Sequence, residues 1–231
     1  MQGILYIDKP AGWTSFDVVN YVRRMVAGVE GKKPKNVKVG HTGTLDPFAT
    51  GLLIVLIGKD FTRQAASFSK LDKTYEATAY LGKISSTGDP EGEIREYSDN
   101  IPSLKLIREQ ATLLTGEISQ VPPAFSAIKI QGKRAYSLAR EGKPVVLEPR
   151  LVTVRDLRVE SYDYPKLQLR AEVSSGTYIR SLVESMGELL HTGAYTAGLR
   201  RTRIGTTSIE KAHQVESLSP ENLSNLLEQN T

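Results

Sequence analysis

The stretch of residues 40–51, GHTGTLDPFATG, limits what this chain can fold into more than any other. Three glycines, three threonines and a proline in twelve positions cannot continue as the interior of a helix or a strand. Glycine allows close backbone approach or a positive φ, and Pro47 biases Asp46 towards extended geometry. The apolar run 52–57 follows at once and reads as a buried strand, so the turn is anchored by core on its C-terminal side. One carboxylate, Asp46, is thereby set on a stiff turn that a packed core does not need. Taken alone, Asp before Pro is also an ordinary turn initiator, with His41 as a hydrogen-bonded neighbour.

At 231 residues the chain is long enough to bury a sizeable core. It has no cysteine, which excludes disulfides and thiolate metal sites and fits a reducing compartment. The N-terminus lacks a basic n-region, and no stretch approaches the roughly 20 apolar residues of a membrane span, so a cytoplasmic protein without membrane contact is expected. The net charge of +4 hides an uneven distribution. Residues 1–70 hold 10 Lys+Arg against 5 Asp+Glu, and residues 121–158 hold 8 against 3, whereas 71–120 is acidic. Two basic blocks suit a polyanion, although a solvated surface would look the same.

The order of elements reads as α+β. A strand is expected over 4–8 and a helix capped by Ser15, with Phe16, Val19, Val22 and Val26 on its apolar face and Gly28 at its end. A basic loop follows at 32–38. Beyond the Asp46 turn and its strand come a short helix at 62–68, an alternating strand over Lys73–Leu81, a polar connection at 82–92, a short strand near 93–97 and a helix over 103–114. Residues 121–149 form a long basic segment with one helical turn near Ala135–Arg140, and a connection of that length inside a domain is usually functional. Paired strands are expected at 152–159 and 167–173, a helix at 178–190, a strand at 199–206 and one or two short helices in an acidic tail. The absence of exposed heptads points to a monomer.

The stretch 40–51 resembles the catalytic motif of the TruB family of tRNA pseudouridine synthases, in which the pattern G-H-T-G-x-L-D-P-x-A-x-G carries a nucleophilic aspartate. Further marks of that family run in order over about residues 3–205. They are Asp8-Lys9-Pro10 with Gly12 and Thr14-Ser15, Lys73-Thr74-Tyr75, Val121-Pro122-Pro123 with Ser126-Ala127-Lys129, Gly132-Lys133-Ala135-Tyr136, Ser175 to Arg180, and Leu199-Arg200-Arg201. The resemblance implies a pseudouridine synthase fold: a central mixed, largely antiparallel sheet flanked by helices, with an RNA-gripping insertion. It implies a catalytic domain over 1–207, an insertion at about 121–150, and a tail at 208–231 too short for a full PUA domain.

By the same resemblance, Asp46 is the nucleophile, Tyr75 stacks on the target base, and Arg180 is the guanidinium that keeps the acid ionised. A neighbouring guanidinium lowers a carboxylate's pKa by roughly 1–3 units. His41, Tyr178 and Leu199 would line the nucleotide's pocket, and Lys9, Lys129, Lys133, Arg134, Arg140 and Lys143 would meet the RNA. Ser85-Ser86-Thr87-Gly88-Asp89 departs from the family pattern, with serine where relatives place threonine and aspartate.

The implied reaction turns a uridine of the tRNA T-loop, position 55, into pseudouridine, without guide RNA, metal or cofactor. Asp46 would attack either the sugar or the base, and the nucleotide must first be flipped at a cost of a few kcal/mol. Rival readings are an RNA folding factor, a guide-RNA-dependent relative, and a glycoside hydrolase. The last calls for two carboxylates across the scissile bond, and no second acid accompanies Asp46.

Overall fold

A computed structural model describes residues 1–126, 128–130 and 132–229. In chain order it contains β1 (Gly3–Lys9), α1 (Ser15–Val29), β2 (Val39–His41), β3 (Thr50–Ile57), α2 (Lys59–Thr62), α3 (Ala65–Ser69) and β4 (Lys73–Leu81). There follow β5 (Lys83–Ser85), β6 (Ile94–Glu96), α4 (Leu104–Leu113), β7 (Gly116–Gln120), β8 (Lys129–Ile130), β9 (Lys133–Arg134) and α5 (Ala135–Arg140). The last elements are β10 (Arg150–Asp163), β11 (Lys166–Val173), α6 (Ile179–Leu189), β12 (Ala194–Ile204), β13 (Thr207–Ser208) and β14 (His213–Gln214). The chain divides into two units, Met1–Tyr75 with Leu199–Thr231, and Glu76–Gly198.

In the first unit, β1 runs antiparallel to β3 from the pair Gly3 and Ile57 to the pair Lys9 and Gly51. β14 pairs parallel with β1, β2 pairs antiparallel with β3, and β12 pairs parallel with β3 through Arg200–Thr50 and Arg201–Gly51. Nearly every residue of β1 and β3 is buried, because the sheet is covered on both faces. Alternate side chains divide accordingly. Leu5, Ile7, Leu53, Val55 and Ile57 pack with Val18, Val19, Val22 and Val26 of α1, whereas Ile4, Tyr6, Leu52, Ile54 and Leu56 meet Phe61 and Ile204.

Helix α1 differs in detail from its sequence pattern. Its N-cap is Thr14, which forms a capping box with Asp17, and Ser15 lies inside the helix. Phe16 is exposed and takes no part in the apolar face, which Val18 completes; the Arg23 guanidinium lies 5.7 Å from its ring. The expected single helix at 62–68 is two short ones, α2 and α3. The tail is part of the core: Val215, Leu218 and Leu223, on two 3-10 turns and the segment between them, pack into the α1 face, and Ile4 and Glu228 exchange backbone hydrogen bonds at 2.9 Å.

In the second unit β11, β10 and β7 are successive antiparallel neighbours, with irregularities in the β10–β11 register at Val154/Asp156 and Val159/Ser161. Within 121–150 the structure places the small hairpin β8–β9, Lys129 facing Arg134, followed by α5 over the expected residues. Its start is tied to α6 by the Ser181 hydroxyl, which donates to the Val121 carbonyl (2.9 Å), and the end of β7 just before it is tied to the N-cap of α6, where the Gln120 side chain bonds both backbone groups of Tyr178 (2.8 and 3.0 Å).

Candidate active site

The loop between β2 and β3 carries Asp46 and is fastened at several points within the first unit. Thr42 N–H donates to Ile54 (3.2 Å), and the hydroxyl of Ser69 donates to the Thr42 carbonyl (2.6 Å). Ser15 meets Leu45 twice: its hydroxyl accepts from the Leu45 N–H at 2.8 Å and lies 3.2 Å from the Leu45 carbonyl. Ala49 N–H donates back to the Asp46 carbonyl (3.1 Å), closing a tight turn around Pro47. The Pro47 carbonyl accepts from Gly12 N–H (2.8 Å) and from the Lys9 ammonium (3.3 Å).

Lys9 is fully buried, and its ammonium also donates to the carbonyls of Pro10 (2.9 Å) and Trp13 (2.6 Å). It therefore fastens the Asp46 turn to the segment after β1 and offers no surface to a phosphate, which corrects its expected place among the RNA contacts. Arg201 does the corresponding work from β12. It is 1% exposed, its Nε donates to Leu52 (2.7 Å) and its guanidinium reaches the Gly43 carbonyl at 3.0 Å. Adjacent strand residues point to opposite faces, so Arg200 turns the other way. It grips Asp8 with two bonds of 2.7 and 3.0 Å, and Gln214 donates to the same carboxylate.

Asp46 and His41 are half-buried, as is Leu199, which immediately precedes the residue paired with Thr50. Tyr75 is buried on β4. Beside it, Lys73 is also buried and donates to the Ser69 carbonyl (2.9 Å). Its ammonium is pushed down to about 8, chiefly by burial and then by the Arg201 charge, with Asp72 opposing.

In the second unit Arg180 occupies the first turn of α6 and is 3% exposed, not the surface charge that its helix position alone suggests. Its guanidinium bonds the Asp89 carboxylate (3.0 Å) and the carbonyls of Thr87 (3.0 Å) and Phe125 (2.8 Å). Asp89 is equally buried and also accepts from the Thr87 hydroxyl (2.6 Å). Glu184, one turn after Arg180, has its carboxyl pushed up to about 7, first by burial; Arg180 pulls the other way, and Glu188 and Asp89 add to the rise. Tyr178 is half-buried at the helix N-cap.

Sequence reasoning did not name Glu184, named Asp89 only within a departure from the family pattern, took Ser15 for a helix cap, and gave Arg201 no task of its own. The available signal for Arg201 was the Arg-Arg pair itself, since a strand must turn one of two neighbours inward. Of the expected RNA contacts in the insertion, Lys129, Lys133, Arg134, Arg140 and Lys143 are all exposed. Lys143 pairs with Glu141 (2.6 Å) and Arg140 lies 5.7 Å from the ring of Tyr136. Ala127 of that motif lies outside the described residues.

Comparison with known proteins places this geometry. Residues 31–179 match the model of the TruB family pseudouridylate synthase N-terminal domain. The chain is 44% identical to tRNA pseudouridine synthase B of Protochlamydia amoebophila, covering 91% of this chain and 77% of that one. It is 41% identical to the protein of the same name from Parabacteroides distasonis, covering 98% and 94%. Among solved structures it resembles that of an H/ACA ribonucleoprotein bound to a substrate RNA containing 2′-deoxyuridine, with a TM-score of 0.66 and 26% identity over 94% of this chain. It spans about half (52%) of that solved chain. Together with the mixed, largely antiparallel sheet and its flanking helices, these matches settle the family: the chain belongs to the TruB family of pseudouridylate synthases.

Proposed function

We propose that this chain converts a uridine in the T-loop of tRNA, position 55, to pseudouridine, with Asp46 as the nucleophile and no guide RNA. Isomerisation of uridine to pseudouridine in tRNA is the activity that the relatives' name carries. The supporting observation is the loop that holds Asp46, whose fastening by Lys9, Ser15 and Arg201 fixes a half-buried carboxylate in place before any substrate arrives.

The Asp46 oxygen bonds the flipped nucleotide, at C1′ of the ribose or at C6 of the base. In either route the N1–C1′ bond breaks, the base turns and C5 bonds C1′; the Asp46 oxygen departs from the carbon it had bonded, and the proton lost from C5 is balanced by one gained at N1. Tyr75 stacks on the base, and His41, Tyr178 and Leu199 line the pocket and exclude water that would otherwise capture the sugar. Arg180, its orientation set by Asp89 and two carbonyls, is assigned to stabilise the nucleophile's charge. The cations of the insertion bind the RNA backbone, and the enzyme works as a monomer in the cytoplasm with its tRNA.

Asp46→Asn tests the assignment, because it keeps the side chain's size and removes its nucleophilic charge. Pseudouridine formation on a bare T-stem-loop RNA, mapped by mass, should fall by at least about 10³-fold, with RNA affinity kept within about threefold. Turnover that survives in the variant removes Asp46 as nucleophile. Wild-type turnover that requires a guide RNA refutes the guide-free reading.

A further inference from the structure

The first unit holds a second cluster of cations, at the opposite end of β2 from His41. A cavity of about 530 Å³ opens between α1 and the segment 34–39, and its lining includes Asn20, Arg23, Arg24, Lys35, Lys38 and Val39. Arg23 is fixed there by donating to the Asn20 side chain (2.7 Å) and to the Val39 carbonyl (3.1 Å). A fork held in this way presents its remaining N–H groups without a further loss of side-chain freedom. Arg24, Lys35 and Lys38 are exposed, and none forms an ion pair with a described residue. The only acid between positions 23 and 38 is Glu30, which already takes the N-terminal ammonium and Lys32.

We propose that this groove seats the phosphodiester backbone of the substrate RNA, next to the nucleotides that enter the Asp46 loop. The proposal rests on tRNA as the substrate. Val39, which lines the groove, and His41, which opens the loop, are two strand residues apart. That separation is about 7 Å, the axial rise of about two phosphates of one duplex strand. One RNA strand can therefore follow β2 from the groove to the site. Four cations around a concave seat without a broad apolar face fit a polyanion strand and not a membrane surface, which would need apolar side chains to insert.

The test is the triple variant Arg24→Gln, Lys35→Gln, Lys38→Gln, which leaves Arg23 and the core intact. Binding of full-length tRNA is followed across a salt series, and turnover is measured on the same RNA. Each phosphate contact contributes about 0.7–0.9 to the slope of log affinity against log salt. The slope should become shallower by about 2 to 3, with affinity at low salt down tenfold or more, KM raised to match, and kcat unchanged. An unchanged slope, or displacement of the RNA by inorganic phosphate at matched ionic strength, overturns the proposal. Should the wild type make no pseudouridine while the triple variant still loses its salt dependence, the functional reading fails and the groove stands.

Discussion

Arg180 is held by one carboxylate and overlooked by another, and the two acids differ in what they contribute. Asp89 accepts directly from the guanidinium at 3.0 Å. Glu184 is drawn over Gly88 so closely that a side chain there would sit 2.6 Å from its Oε1. Burial raises its pKa from 4.5 to about 7. An acid whose folded pKa lies above its unfolded value binds more protons in the folded state, so stability falls as pH rises from about 4.5 to about 7. Glu184→Gln removes that penalty. Calorimetry should find the variant more stable than the wild type at pH 8 by about 1–2 kcal/mol after allowing for solvent screening, or roughly 3–6 °C in Tm. At pH 5 the gain should have nearly vanished. A variant destabilised equally at both pH values would show instead that the carboxyl is a needed hydrogen-bond partner in either protonation state.

At the level of strands and helices, the parallel pairing of β12 with β3 is what brings Arg201 to the Asp46 loop. That pairing passes through Gly51, whose φ of +105° suits glycine and whose added Cβ would lie 2.3 Å from the Arg201 carbonyl oxygen. Gly51→Ala must therefore push the two strands apart or distort β3. A loss of about 2–4 kcal/mol is expected by urea unfolding, together with a fall in turnover as the loop loses its Arg201 fastening. A change within about 0.5 kcal/mol would mean that the strands separate at little cost.

The strands themselves were readable from residue order. Lys73–Leu81 alternates and lies where its pattern puts it, α5 spans its expected residues, and 52–57 is the buried strand its apolar run requires. Local pattern misplaced Phe16, which shares helical spacing with Val19 and Val26 but projects off the packed face. The motif located Asp46, yet what fastens it was hidden: Ser15 and Leu45 lie 30 positions apart, and Asp89 and Arg180 lie 91 apart. No periodicity encodes contacts at such separations, and a polar residue satisfied by tertiary partners looks in sequence like one turned to water.

At the scale of the whole molecule, two groups of cations are assigned to the RNA, the α1 groove of the first unit and the insertion of the second. The proximal insertion is structural: the Phe125 carbonyl holds Arg180 and the Val121 carbonyl holds Ser181, so removing all of 121–150 would disturb α6 as well as RNA binding. A cleaner deletion replaces 128–146 by a short Gly/Ser linker, keeping 121–126 against the helix. It removes Lys129, Lys133, Arg134, Arg140 and Lys143. Lys143 is already offset by Glu141, which leaves at most four cations to release counterions. The salt slope for tRNA binding should then become shallower by about 2 to 4, while the folded core keeps its urea midpoint. Counterion release counts phosphates whichever unit contacts them. Combining this deletion with the triple groove variant should therefore sum the two slope changes to within about one unit. A double variant no shallower than either parent would mean that both clusters neutralise the same phosphates, and that one stretch of backbone, not two, holds the RNA.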